Sequence, residues 1–304
     1  TLLTDKIGEI FSEVEDPRVE RTRVHLLTDI LIIAILSVIA GGKGWEDMEN
    51  YGESKYEWLC QFLVLPYGIP SADTFRRIFE RINPKIFERC FRCWVESIVE
   101  KTGAQVIPID GKTLKGSYDR GLGKTALHLV SAWSSQHRLV LGQVKVADKS
   151  NEITAIPELL ELLDIAGCII TIDAMGTQTA IASQIKNANA DYILALKGNH
   201  PTLHTQVKDW FEQHLIKGFE GITHSYDKRV EKGHHRTEKR QTWCVPVSEL
   251  PPLHNHSDWV GLKCVVMVLR VRHLWNKTTR EVQFYLTSLD CDACKLGQAI
   301  RLHW

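Results

Sequence analysis

The 304-residue sequence lacks an excess of charge, because 37 lysines and arginines are balanced by 37 aspartates and glutamates. This balance argues against a protein that holds nucleic acid through its net charge, but it does not exclude local basic patches. A membrane-spanning run is also lacking, since the apolar stretch Ile30–Ala40 falls well short of about 20 residues. We expect a buried helix there, ended by Gly41 and Gly42. Because no secretory signal is visible, we expect a cytoplasmic protein.

Compact zinc-ligand spacing is missing as well. Among the eight cysteines, the pairs Cys90/Cys93 and Cys291/Cys294 have the separation typical of metal-binding pairs. The two pairs lie about 200 residues apart, whereas zinc ribbons draw their ligands from a short segment. The first pair also falls within an amphipathic helical pattern. We therefore predict that these two pairs do not form one zinc site.

Internal repeats and low-complexity tracts are absent, and the character of the chain changes once. Residues 1–104 show apolar side chains at spacings of three and four, which is typical of helices packed on a core. Glycines and prolines separate the helical segments. We predict an all-helical N-terminal domain over residues 1–104. Its predicted helices are Leu2–Val14, Asp29–Ala40, Trp45–Leu63, Ala72–Ile82 and Pro84–Glu100.

From residue 105 onward, strand patterns alternate with helical ones. Three strands, a helix, a strand, a helix and a strand follow in that order, which predicts an α/β core with an RNase H-like mixed sheet. The predicted strands are Val106–Asp110, Leu127–Ser134, Leu139–Ala147, Cys168–Asp173 and Asp191–Lys197. Residues 201–287 then begin with a helix and continue with four strand-like segments. We predict a core over residues 105–200 and 288–304, interrupted by a β-rich insertion over residues 201–287.

Two acidic residues stand out in the predicted core. Asp110 and Asp173 each end an apolar strand, so the sheet would fix their positions while leaving them open at its end. Two such carboxylates can hold divalent cations through oxygen ligands, and two metal ions can flank a scissile phosphate. The alternative is that both are ordinary turn-forming aspartates, because Asp110-Gly111 is a turn signal by itself.

Several motifs, taken together, resemble one family: the insertion-sequence transposases of the H-repeat-associated type, within the DDE superfamily. The matching segments are spread over almost the whole chain in the family's order. They are Ile69–Arg77, Ile107–Lys112, Asp148–Glu152, Thr171–Gln178, Leu194–Asn199, Gly233–Glu238 and Arg301–Trp304.

The resemblance implies that Asp110 and Asp173 are the first two acids of an Asp-Asp-Glu triad that binds Mg²⁺ or Mn²⁺. In the family, the third acid follows a His-Trp pair, which here is His303-Trp304, so we expect that glutamate beyond Trp304. Within the sequence, Glu238 is the fallback for the third acid. Its neighbours Arg236, Lys239 and Arg240 make a structural salt bridge the alternative. We therefore expect this chain to bind DNA without cleaving it.

Basic residues that would contact DNA lie in three places. Arg76 and Arg77 belong to a basic run on the helices of the first domain, where a solvated helix face is the alternative. Lys112 and Lys197 each follow a core strand near the predicted catalytic end. Arg236 and Arg240 belong to a second basic run, together with His234 and His235.

The resulting hypothesis is a DNA transposase that cuts transposon ends and joins them to target DNA. We expect a homodimer on DNA, associated with the nucleoid and with no membrane. Two alternatives stay open at this point. One is an inactive, DNA-binding remnant or repressor derived from a transposase, and the other is an RNase H-like nuclease or resolvase without strand transfer.

Overall fold

The computed structural model describes residues 2–98, 105–113, 128–135, 139–146, 152–233 and 236–304. The chain divides into two compact units, residues 1–100 and residues 101–304. The family-like segment at residues 148–151 and the histidines at 234 and 235 lie outside the described residues. No helix in the described ranges has the length and apolarity needed to cross a membrane.

The first unit is helical, as predicted. Its helices are α1 (Leu2–Phe11), α2 (Leu27–Ile39), α3 (Trp45–Ser54), α4 (Tyr56–Leu59), α5 (Ala72–Phe79) and α6 (Pro84–Ile98), with a short 3₁₀ turn at Glu20–Thr22. The single helix predicted over Trp45–Leu63 is wrong. The backbone leaves helical geometry at Lys55, with φ −114° and ψ 14°, and separates α3 from α4.

The core of the first unit is built around α2. Nearly every residue from Ile30 to Ile35 on this helix is fully buried, which confirms the buried apolar helix predicted from the sequence. Asp29 in its first turn is also buried, and its Oδ2 accepts a hydrogen bond from the backbone N–H of Leu65 at 2.9 Å. Burial raises the pKa of Asp29 despite this bond. The carboxyl group therefore ties the loop after α4 to the central helix.

The second unit is built on one nine-stranded sheet. Its strands are β1 (Val106–Thr113), β2 (His128–Ser134), β3 (Leu139–Lys145), β4 (Ile169–Ile172), β5 (Asp191–Leu196), β6 (Ser225–Gly233), β7 (Arg236–Pro246), β8 (Cys264–Leu274) and β9 (Thr278–Thr287). The strand order is β3-β2-β1-β4-β5-β9-β8-β7-β6. Its helices are α7 (Glu152–Glu161), α8 (Thr179–Asn187), α9 (Pro201–Ile216) and α10 (Ala293–His303).

The first five strands have the RNase H-like arrangement. Strands β1, β2 and β3 pair antiparallel, whereas β4 and β5 join β1 in parallel. The predicted fold class, an α/β fold with an RNase H-like mixed sheet behind a helical N-terminal region, is thereby confirmed. The four strands within the predicted insertion extend this sheet, because β9 pairs antiparallel with β5, and β8, β7 and β6 follow outward.

Helices cover both faces of the sheet. On one face, apolar residues of α7, α8 and α9 pack on inward-facing strand residues such as Ile107, Ile109, Ile170 and Ile172. On the opposite face, α10 packs against strand residues that include Val106 and Ile193. Alternating side chains along β1 and β4 therefore point to different helical layers.

Candidate active site

Asp110 and Asp173 lie at matching positions on neighbouring strands. Ile109 on β1 pairs with Ile172 on β4 in a parallel register, and each aspartate is the next residue. Paired residues of neighbouring strands are about 4.8 Å apart, so the two acids extend from adjacent points of the sheet. The Asp110 side chain is half exposed, with Lys112 Nζ at 3.7 Å from its Oδ2.

The Asp173 carboxylate is held in place by its own turn. Its Oδ1 accepts hydrogen bonds from the backbone N–H groups of Met175 at 3.1 Å and Gly176 at 3.3 Å. A Cβ on Gly176 would collide with the side chains of Ile172 and Ile156, so this close turn requires glycine. The described hydrogen bonds thus orient one oxygen of Asp173 and do not engage the other.

The turn after β4 is also bonded to the end of β5. Thr177 Oγ1 donates to the carbonyl of Ala195 at 2.7 Å, and Asn199 Nδ2 donates to the carbonyl of Ala174. These bonds explain why the motifs at residues 171–178 and 194–199 occur together: they build one corner of the site.

A third acid, Glu152, lies at the same place and was missed in the sequence. It is the first residue of α7 and the last residue of the family-like segment Asp148–Glu152. Its Oε1 is 3.5 Å from His128 Nε2, and its side chain is 13% exposed. Burial raises the pKa of Glu152, and the negative charges of Asp173 and Asp110 raise it further, opposed by His128. The signal available in the sequence was an acid at the start of the helix that follows β3.

The end of α10 reaches the strand that carries Asp173. His303 Nδ1 and Thr171 Oγ1 are 2.8 Å apart, and the His303 ring stacks on Trp304 with a centroid separation of 3.8 Å. Burial lowers the pKa of His303 to about 4, although the Asp173 charge opposes this shift. His303 is therefore neutral at physiological pH, and the Arg301–Trp304 motif lies beside the candidate site.

Glu238, the fallback for the third acid, lies in a buried ion-pair cluster on β7. Its side chain is 2% exposed, Arg240 Nε donates to Oε1 at 2.6 Å, and Arg272 Nε donates to Oε2 at 2.8 Å. Burial raises the pKa of Glu238, but the hydrogen bonds from Arg272 and Arg240 outweigh it, and the net pKa is lowered. Five strand steps separate β7 from β1, which is about 24 Å along the sheet at 4.8 Å per step. The geometry supports the alternative that Glu238 forms a structural salt bridge.

The same cluster corrects one predicted DNA contact. Arg240 is turned inward, with its side chain 12% exposed and paired to Glu238, so it does not face a DNA partner. Arg236 on the same strand is exposed. Lys112 and Lys197 are exposed too, at the end of the sheet where the aspartates lie.

The basic residues of the first unit have acidic partners on their own helix. Arg76 pairs with Asp73 at 2.5 Å and with Glu80 at 2.9 Å, and Arg77 pairs with Asp73 at 2.7 Å. Both guanidinium groups are exposed to solvent, so these pairs are weak and open to exchange for phosphate. The structure is consistent both with a DNA-binding surface and with a solvated helix face.

The cysteines of the second unit are not grouped by their spacing in the sequence: Cys291 lies near Cys244 and Cys264, and Cys294 lies elsewhere. The thiols of Cys244, Cys264 and Cys291 lie within 4.8 Å of one another, and Cys291 Sγ donates to the carbonyl of Cys244 at 3.2 Å. Cys294 is exposed and receives a hydrogen bond from Arg229 instead. The two members of the Cys291/Cys294 pair therefore have different surroundings.

Comparison with known families decides the identity of the chain. A family model described as "Transposase DDE domain" matches residues 101–304, and a model described as "DDE_Tnp_1-associated" matches residues 8–95. The chain belongs to the DDE transposases. The family resemblance predicted from the motifs is thereby confirmed.

Relatives of this transposase cover nearly its whole length. "Putative transposase YncI" of Escherichia coli O157:H7 is 40% identical over 301 residues, which are 97% of this chain and 76% of the relative. "H repeat-associated putative transposase YhhI" of Escherichia coli K12 is 40% identical over 304 residues, 98% of this chain and 79% of the relative. "Inactive transposase YbfQ" of the same strain is 41% identical over 73 residues, 24% of this chain and 87% of the relative.

Proposed function

We propose that this transposase cleaves transposon ends and joins them to target DNA, with Asp110 and Asp173 holding the divalent cation on which DDE transposases depend. The observation that carries the proposal is the register of β1 and β4, which sets the two acids side by side at one end of the sheet. Both strands are buried on the face covered by α7, so the backbone positions of the two acids are fixed by the core.

The residues present fit a hard divalent cation. Carboxylate oxygens are the ligands that Mg²⁺ and Mn²⁺ prefer. Asp173 is oriented by two backbone N–H groups through Oδ1 alone, and Asp110 is half exposed. When bound, the ions supply activation of a nucleophilic water and charge stabilisation on the leaving oxygen.

The chain's own contribution is to position the ligands and the DNA. Lys112 and Lys197 lie exposed beside the acids, where an ammonium group pairs with phosphate as a point charge. Arg76, Arg77 and Arg236 are exposed and add further phosphate contacts. With net charge zero, binding then depends on these local groups, and a homodimer would double their number on paired transposon ends.

DNA cleavage by the full chain tests the proposal. The sequence alone predicts DNA binding without cleavage; on the present proposal, labelled duplexes carrying the element's ends, incubated with Mg²⁺ or Mn²⁺, should instead show nicks that Asp110→Asn and Asp173→Asn each abolish. Joining of the cut ends to a target plasmid separates transposition from simple nuclease action. DNA binding that weakens with salt, without any metal-dependent nick, would instead favour the inactive, DNA-binding alternative; the name of the relative "Inactive transposase YbfQ" makes that outcome worth measuring.

A further inference from the structure

The backbone of β1 is shaped to admit a third carboxylate beside Asp110. The next residue is Gly111, and a Cβ at that position would lie 2.8 Å from Glu152 Oε2 and closer still to Oε1. The Glu152 carboxylate therefore occupies the space that any other side chain at position 111 would fill. Glycine at this position leaves the Glu152 carboxylate where it is, whereas a Cβ would push it aside.

In the part of the chain that the structure describes, the Glu152 carboxylate has no lysine or arginine beside it. It lies against the residue that follows Asp110, and its side chain is 13% exposed. Among the described residues, no lysine or arginine lies within 4.0 Å of Glu152, whereas His128 Nε2 is 3.5 Å from its Oε1. Buried carboxylates are normally paired or coordinate metals, and a bound divalent cation would supply such a partner.

We propose that Glu152 is a third carboxylate ligand of the metal site, holding the divalent cation together with Asp110 and Asp173. The inference rests on the proposed function, because it takes the same metal site as given. Under this proposal α7 supplies a metal ligand, whereas a site built from the two aspartates alone would not involve that helix. The proposal also gives a reason for glycine at position 111, which lies inside β1 and forms no turn.

Two comparisons within the chain favour this assignment. Glu238 is also a buried glutamate, but each of its oxygens is bound by an arginine, which is the arrangement expected of a structural acid. A glutamate that merely favours a helix N-terminus through the helix dipole is usually exposed at the first turn. Glu152 is instead 13% exposed and lies against Gly111, the residue that follows Asp110.

Manganese binding to the full chain, without DNA, tests the proposal directly. The electron paramagnetic resonance signal of free Mn²⁺ reports its binding to the wild type and to Glu152→Gln. We expect the substitution to weaken binding about tenfold or more, because affinity follows the number of charged ligands. Glu158→Gln is the matched control, since Glu158 is an exposed acid on the same helix, and it should bind Mn²⁺ like the wild type.

The thermal midpoint separates a ligand from a structural residue. Without metal, Glu152→Gln should melt at or above the wild-type midpoint, because one of three repelling charges is gone; with Mn²⁺, it should gain less stability than the wild type. Gly111→Ala provides a second test of the metal-binding role, since the added Cβ displaces the Glu152 carboxylate while all three acids stay in the sequence. This variant should also lose Mn²⁺ affinity.

The outcomes distinguish this inference from the proposed function. Loss of Mn²⁺ binding in Asp110→Asn and Asp173→Asn, with wild-type binding in Glu152→Gln, would overturn the role of Glu152 and leave the aspartate site standing. Wild-type binding in all three variants, or no binding by the wild type, would overturn both. A Glu152→Gln variant destabilised equally with and without Mn²⁺ would show a structural role only.

Discussion

Replacing Glu238 by alanine should destabilise the second unit strongly and leave metal binding unchanged. The substitution leaves the guanidinium groups of Arg240 and Arg272 facing each other on adjacent strands, with the first of them 12% exposed. Removing one partner of a buried ion pair costs about 3–5 kcal/mol. Because Arg272 is 36% exposed and partly solvated, the lower figure of about 3 kcal/mol applies here. For a unit of this size, that loss lowers the thermal midpoint by about 6–12 °C.

The matched control is Glu231→Ala on the neighbouring strand β6. Glu231 pairs with Glu238 in the strand register, but its own partner Arg301 is 3.4 Å away and both side chains are about half exposed. A surface ion pair of this kind contributes at most about 1 kcal/mol. Calorimetry and urea unfolding of both full-length variants measure the difference directly.

The pH dependence of the free energy of unfolding provides a second, independent test of the Glu238 ion pairs. Since the pKa of Glu238 is lowered by folding, its stabilising contribution is present above the ordinary value of 4.5 and is lost as the pH falls through the folded pKa. The stabilities of wild type and Glu238→Ala should therefore converge in acid. The reasoning is refuted if Glu238→Ala is no less stable than Glu231→Ala, or if it abolishes Mn²⁺ binding while the fold is intact.

Three further predictions follow from buried groups. Asp29→Ala should lower the free energy of unfolding in urea by about 1–3 kcal/mol, because it leaves the Leu65 N–H unpaired. Asp29→Asn should lower it less. Because the pKa of Asp29 is raised in the folded chain, the wild type loses stability as the pH rises above 3.8, and Asp29→Asn should abolish this loss. Between about pH 6.5 and 4 the wild type should lose stability, because His303 is protonated in the unfolded chain while it stays neutral in the folded one. His303→Gln should lose less in a pH series of melting curves. In native protein, a thiol reagent should modify three cysteines quickly and the remainder only after denaturation; more than three fast thiols would contradict the burial described here. The fast-reacting residues are Cys60, Cys93 and Cys294.

The order of elements could be predicted from the sequence because the apolar periodicity changes sharply near residue 105. Strand ends were placed within a few residues, and Asp110 and Asp173 were found because each follows an apolar run, although β1 continues past Asp110 to Thr113. The break between α3 and α4 was missed, since apolar spacing continues across Lys55 while the backbone angles change there. Periodicity reports which face is buried and does not report a local departure from helical angles.

The site acids beyond the two aspartates depend on contacts that sequence spacing does not contain. Glu152 comes close to Gly111 only because α7 packs on the same sheet face as Ile109. Glu238 and Arg272 are 34 residues apart and meet through the pairing of β7 with β8. Charge counting along the chain could suggest a salt bridge for Glu238, but it could not identify the inward turn of Arg240.

Helix α10 has a consequence for how the second unit folds. Its first residue, Ala293, donates its N–H to Ser225 at the start of β6, and its last turn contacts Thr171 on β4, so one helix bridges partners that are far apart in sequence. The two docking points are brought together only when strands β6 to β9 have paired with one another and, through β9, with β5. We therefore expect α10 to dock late, after the slow long-range strand pairings. The histidine beside Asp173 would then reach its final position only when the whole sheet is complete.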